Sequence, residues 1–189
     1  MAAAKMTRKA RLTLAALVTV CVLPVVASYL AFYVWPPSGR SNYGALVTPT
    51  PLPDGALATP GGGAFARDDI KGFWTYVVVA PAACDAACRQ ALYLTRQVRT
   101  AQAQEADRVA RVWLLSDGGA PDAALLAEHP ELMVARADGR WLAQLDGQVM
   151  AQVWLADPRG QVMMRYPAEL DPKGMLKDLA RLLKYSQVS

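Results

Sequence analysis

The chain has 189 residues, enough for one domain with appendages, and its composition is that of a folded protein. Its net charge of +4 comes from 20 basic and 16 acidic side chains, but four of the basic ones lie before residue 12. The rest is charge-balanced, with no basic patch interleaved with aromatics, which excludes a nucleic-acid surface.

Residues 1–11 form a basic N-terminus containing Lys5, Arg8, Lys9 and Arg11. Leu12 to Trp35 then carries no charge. As a helix this run is about 36 Å long, enough to cross a hydrocarbon core of about 30 Å. Basic residues before it predict a cytoplasmic N-terminus. Tyr29, Phe32, Tyr33 and Trp35 make an aromatic belt at the far end. The rival reading is a cleaved signal peptide, with Val25 and Ala27 before the cut. Both send the rest of the chain out of the cytoplasm, where disulfides form. The expected placement is therefore a single-pass inner (cytoplasmic) membrane anchor with a periplasmic C-terminal domain. Cys21 is expected to face lipid or a partner helix, since Val20 is too bulky for a lipidation signal.

Residues 36–64 hold six Pro and six Gly, and read as an extended or mobile linker. Phe73–Ala80 is a run of β-branched and aromatic residues, the pattern of a buried central strand. It ends in Pro81-Ala82-Ala83, and Cys84 and Cys88 follow at the mouth of a helical pattern from Asp85 to about Ala106. At i and i+4 on a helix the two would share one face, with Cα atoms roughly 6 Å apart. The pair can bridge, hold a soft metal ion, or cycle between the two states. A helix N-terminus favours thiolate over thiol. The plain alternative is two small buried residues in an Ala-rich helix.

Val109–Ser116 reads as a second strand, closed by Asp117-Gly118-Gly119, and residues 121–128 as a short helix. His129, the only histidine, is expected in a surface loop. Residues 151–156 and 161–166 are two strands joined by the turn Asp157-Pro158-Arg159-Gly160. Asp171-Pro172 caps a final helix with an apolar stripe of Met175, Leu176, Leu179, Leu182 and Leu183. The order strand, helix, strand, helix, hairpin, helix predicts an α/β, thioredoxin-like domain over residues 65–189, behind the transmembrane helix and the Pro/Gly-rich linker.

The segment Cys84-Asp85-Ala86-Ala87-Cys88 between strand and helix resembles the Sco/SenC proteins. So do the hairpin from Val153 to Gly160, the lead-in from Phe65 to Gly72, and the N-terminal anchor. The segment Asn42-Tyr43-Gly44-Ala45-Leu46 and the ending from Asp171 to Leu179 resemble a membrane-anchored bacterial subgroup found with oxidase-assembly factors. The resemblance implies a factor for cytochrome c oxidase assembly, whose partners are an oxidase subunit or another assembly factor. It also implies that Cys84 and Cys88 either bind Cu(I) or control the thiol-disulfide state of a copper-site client. The chain departs from the Sco pattern in one respect. The loop from Leu145 to Met150, where that family supplies a histidine, has none. Two thiolates still suit Cu(I), with Met150 as a candidate third ligand, whereas Cu(II) is poorly served. Two other classes remain open. One is a non-catalytic scaffold that binds an assembly intermediate, with Cys84–Cys88 as a structural bridge. The other is an independent thiol oxidoreductase, disfavoured by three rather than two residues between the cysteines and by the absence of proline before Ala151.

Overall fold

A computed structural model describes residues 8–34, 42–145 and 151–186. The chain divides into two units, residues 1–41 and 42–189. The described residues of the first form the helix α1 (Arg8–Val34), with Pro24 inside it. Every side chain described in it is exposed. Its most apolar stretch has a mean hydropathy of 2.3, so it is long and apolar enough to cross a membrane.

In the second unit the chain runs through β1 (Ala45–Pro51), β2 (Leu57–Ala58), β3 (Ala64–Phe65) and a 3-10 turn, Arg67–Ile70. Then come β4 (Trp74–Ala80), α2 (Ala86–Thr100), a second 3-10 turn (Ala103–Arg108) and β5 (Val109–Leu115). The remainder is α3 (Ala123–Ala127), β6 (Met133–Arg136), α4 (Gly139–Gln144), β7 (Gln152–Ala156), β8 (Gln161–Arg165) and α5 (Pro172–Tyr185). Six strands form one sheet in the order β1-β8-β7-β4-β5-β6. The pairs β4–β5 and β5–β6 are parallel, while β4–β7, β7–β8 and β1–β8 are antiparallel. This is the expected mixed α/β, thioredoxin-like plan with additions at both ends.

β4 lies at the centre and is buried at all seven positions, as its Val-rich sequence requires. Its side chains alternate between two cores. Trp74, Tyr76, Val78 and Ala80 face a core shared with Cys88, Ala91, Leu92 and Val98 of α2 and with Met175, Leu179 and Leu183 of α5. Val77 and Val79 face a second core containing Leu52, Leu57, Phe65, Ile70, Trp141 and Leu145.

The expected linker needs correction. Residues 45–51 form the edge strand β1, and Leu52 and Leu57 are buried in the second core. Proline is tolerated on an edge strand, so Pro49 and Pro51 do not prevent the pairing with β8. The compact unit begins at Asn42 rather than at residue 65. What secures its start lies far away in sequence. Asp178 of α5 is 1% exposed, and its carboxylate accepts the backbone N–H of Tyr43 at 3.0 Å and of Gly44 at 2.8 Å. The Tyr43 hydroxyl donates to the Glu169 carbonyl at 2.6 Å and accepts the Asp171 N–H at 2.8 Å. The Tyr43 ring lies against Gly174, leaving no room there for a Cβ. A buried carboxylate is tolerated because two N–H donors satisfy it.

Candidate functional site

The two cysteines sit where the central strand hands over to α2. β4 ends at Ala80, and the next residues fold back so that the Cys84 N–H donates to the Pro81 carbonyl at 3.1 Å. At Cys84 the backbone passes through the left-handed region, with φ +39°. That conformation is uncommon for a residue with a Cβ and breaks the strand direction sharply. Asp85 then caps α2, its Oδ1 accepting the Cys88 N–H at 2.9 Å. The helix begins at Ala86, so Cys84 lies before the cap and not on the helix as its spacing suggested. The two Cα atoms are 5.1 Å apart and the sulfurs form a disulfide. Both residues are buried, Cys84 at 2% and Cys88 at 0% exposure.

Three other elements hold this turn. The Ala82 N–H donates to Asp117 Oδ1 at 3.0 Å, from the loop that follows β5. Gly119 packs so closely on Ala82 that a Cβ there would lie 2.8 Å from the Ala82 Cβ. Arg136, at the end of β6, donates through Nη1 to the carbonyls of Gly118 and Gly119 at 2.6 and 2.7 Å. Beneath the turn, the fully buried Trp113 donates through Nε1 to the Ala80 carbonyl at 3.2 Å. The helical pattern in the sequence begins at Asp85, whereas Asp85 is the cap and the helix starts at Ala86. Asp117 was legible only as the start of the Asp117-Gly118-Gly119 segment that closes the second strand, and nothing in the sequence placed it or Arg136 against the cysteines.

Met150, the candidate third ligand, and the loop residues 146–150 lie outside the described residues. Ala151, which follows them, has φ +58° and packs against the same core as the cysteines. Among the described residues no three His, Cys, Asp or Glu side chains gather into a metal site. The free cysteine, Cys21, is exposed on α1.

His129 is not on the surface. It is only 4% exposed, because its loop folds tightly: its N–H donates to Leu126 at 2.9 Å and its carbonyl accepts the Leu132 N–H at 3.0 Å. Its Nδ1 is buried without a hydrogen-bond partner. Burial, followed by the charges of Arg111 and Arg96, holds its pKa below the ordinary value. Arg111 of β5 is itself buried and donates to the Leu92 carbonyl at 2.6 Å and to Thr95 Oγ1 at 3.3 Å. Burial and the neighbouring Arg96 and Arg99 lower its pKa to about 10, so it stays charged at neutral pH. His129 therefore belongs to the Arg111 neighbourhood, alongside the second and third turns of α2, and not to the helix start that carries the cysteines.

This burial has a pH signature. The unfolded histidine takes up a proton near pH 6.5, whereas the folded one resists until lower pH. Stability should therefore fall as pH drops below about 6.5, and the loss should stop once the folded pKa is passed. Urea denaturation of the wild type and of His129→Gln at pH 8 and pH 5 checks this. The wild type should lose more stability between the two pH values than the variant.

A family model described as a transmembrane-like, thioredoxin-like, C-terminal domain matches residues 74–186. No curated protein matches the sequence. Among solved structures, apo Sco1 from Thermus thermophilus is 18% identical, with a TM-score of 0.61 over 77% of this chain and 99% of that one. Yeast Sco1 with copper bound is 14% identical, with a TM-score of 0.61 over 75% of this chain and 98% of that one. A thiol:disulfide interchange protein of the thioredoxin family from Chlorobium tepidum is 17% identical, with a TM-score of 0.56 over 74% and 99%. At these identities the likeness shows a shared fold. With a helix able to span a membrane ahead of a thioredoxin-like domain, the chain belongs to the transmembrane-like, thioredoxin-like family, and residues 74–186 are its matching C-terminal domain.

Proposed function

We propose that this protein is a membrane-anchored thiol-disulfide or copper-handling factor that acts through Cys84 and Cys88 outside the cytoplasm. The observation that carries the proposal is a dithiol able to bridge at the junction of the central strand and α2. The fold is shared with both copper-bound Sco proteins and thiol:disulfide interchange proteins. In the exchange reaction, an incoming thiolate attacks one sulfur and the other leaves as thiolate. A second thiol resolves the mixed disulfide, so one disulfide is reduced while two thiols are oxidised. In the reduced state the two sulfurs suit Cu(I), which accepts soft donors at low coordination number, and offer Cu(II) no imidazole. The client we assign is a copper-site subunit of cytochrome c oxidase or a second assembly factor. Arg8, Lys9 and Arg11 at the start of α1 favour an N-in orientation in the inner membrane with the domain in the periplasm.

A second reading rests on burial. Exposures of 2% and 0% at the cysteines are those of a structural bridge, and they favour a non-catalytic scaffold. Equilibrating the full chain in detergent with glutathione redox buffers separates the two. A functional pair should pass reversibly between disulfide and dithiol, read by thiol alkylation and mass. A bridge that stays closed until the domain is denatured supports the scaffold instead.

A further inference from the structure

The outward face of α5 is basic along its length. Lys173, Lys177, Arg181 and Lys184 recur at steps of four, four and three residues. At 3.6 residues per turn this puts them within an arc of about 80°, over a length of about 16 Å. Lys173, Lys177 and Lys184 are exposed and Arg181 is half-buried. The helix contains one acidic residue, Asp178, and its carboxylate is turned inward onto the N–H groups of Tyr43 and Gly44. Asp171, at the cap, is occupied by the N–H groups of Lys173 and Gly174. Among the described residues no carboxylate pairs with Lys173, Lys177 or Lys184. Like charges at i and i+4 weaken a helix, so helix stability does not account for the stripe. The chain beyond residue 35 is charge-balanced, so the stripe is a local concentration of charge rather than a reflection of the net value.

The stripe borders the point where the chain enters the domain. Arg181 Nη1 donates to Asn42 Oδ1 at 3.2 Å, and the Tyr43 ring lies against Gly174. Residues 35–41 join the end of α1 to Asn42, and a segment of that length spans no more than about 25 Å. A surface kept within such a reach of a bilayer meets its headgroups at high effective concentration, so a modest charge attraction suffices to hold it. We propose that this face of α5 docks on anionic lipid headgroups of the membrane that α1 spans. The attraction is ionic and is screened beyond about 10 Å at 0.1 M salt, so the contact is a reversible restraint. The inference rests on the membrane-anchored reading above and is independent of what the cysteines do.

The experiment reconstitutes the full chain in lipid nanodiscs of phosphatidylcholine alone, or with about a third of it replaced by phosphatidylglycerol. A brief pulse of an amine-acetylating reagent, read lysine by lysine by mass, reports how accessible each amino group is. Phosphatidylglycerol should slow the labelling of Lys173, Lys177 and Lys184 by about 3- to 10-fold, and salt at about 0.5 M should restore the rates. Lys71, which pairs with Asp68 on the turn before β4, should label alike in both lipids. Lys173→Gln with Lys177→Gln should release Lys184 from protection, whereas Lys173→Arg with Lys177→Arg should keep it. The changed side chains are exposed, so the melting temperature should not move. Equal labelling in the two lipids, with the chain inserted in both, would overturn the inference alone. So would protection conferred by poly-glutamate and not by phosphatidylglycerol, which would assign the face to an acidic protein. A chain that enters neither disc would overturn the membrane-anchored reading with it.

Discussion

Cys88→Ser should abolish tight Cu(I) binding and leave Cys84 unable to close a bridge. With Cys84–Cys88 intact and reduced, two soft sulfurs sit at the same turn, their Cα atoms 5.1 Å apart. Removing one leaves a single thiolate with an oxygen neighbour, a poor set for a soft ion. A competition titration with a Cu(I) chelator on the reduced full chain should show affinity falling by about two orders of magnitude or more. Binding by the wild type should weaken as pH falls, since protons compete for both thiolates. His129→Ala should leave the affinity unchanged, because that ring lies with Arg111 and not with the cysteines. Equal affinity in the wild type and Cys88→Ser would mean that copper, if held, is held elsewhere. The fold should survive the substitution. The loop closed by this disulfide is so short that its loss costs only about 2 kcal/mol in chain entropy.

Trp113→Ala should do the reverse, costing about 3–5 kcal/mol of stability while leaving both sulfurs in place. The indole is 0% exposed and lies in the core beneath β4 and α2. Its Nε1 proton satisfies the Ala80 carbonyl, the last group of the central strand before the cysteine turn. Truncation leaves a cavity and an orphaned carbonyl at one point. Denaturant unfolding measures the loss, and a change below 1 kcal/mol would contradict the packing described. Trp113→Phe, which keeps most of the volume, should recover most of the stability.

What could be read from the sequence was local. The Val-rich run at residues 77–79 fits a fully buried strand. Asp157 fits its turn, where its carboxylate accepts the N–H groups of Arg159 and Gln161. Asp171 before Pro172 marks the start of α5, and the structure bears it out by capping Lys173 and Gly174. What escaped depends on partners distant in the chain. β1 is rich in Pro and Thr and looks like a linker until Asp178, 135 residues beyond Tyr43, secures it. β6 has four residues, too few for a periodic signal, and takes its place only beside β5. The burial of His129 follows from Leu126 and Leu132 packing against the core, which a short loop sequence does not announce. At the site, the spacing of the cysteines was visible but their geometry was not. Asp85 takes the capping position, so α2 starts one residue later and Cys84 sits on a left-handed turn.

The Asp178 clamp decides where a mechanical load would go. Any tension carried along the chain from the first unit enters the second at Asn42, and the next two residues are fastened by their N–H groups to α5. The Tyr43 ring, seated on Gly174, and its hydroxyl, tied to Glu169 and Asp171, share that load. Force is thus taken up by the C-terminal helix and the β1–β8 edge, on the opposite side of the strand order from β5 and β6. The turn that holds Cys84 receives its own support from Asp117 and Arg136, on the β5–β6 side. A domain built this way can be pulled from Asn42 while the turn that holds Cys84 and Cys88 keeps its geometry.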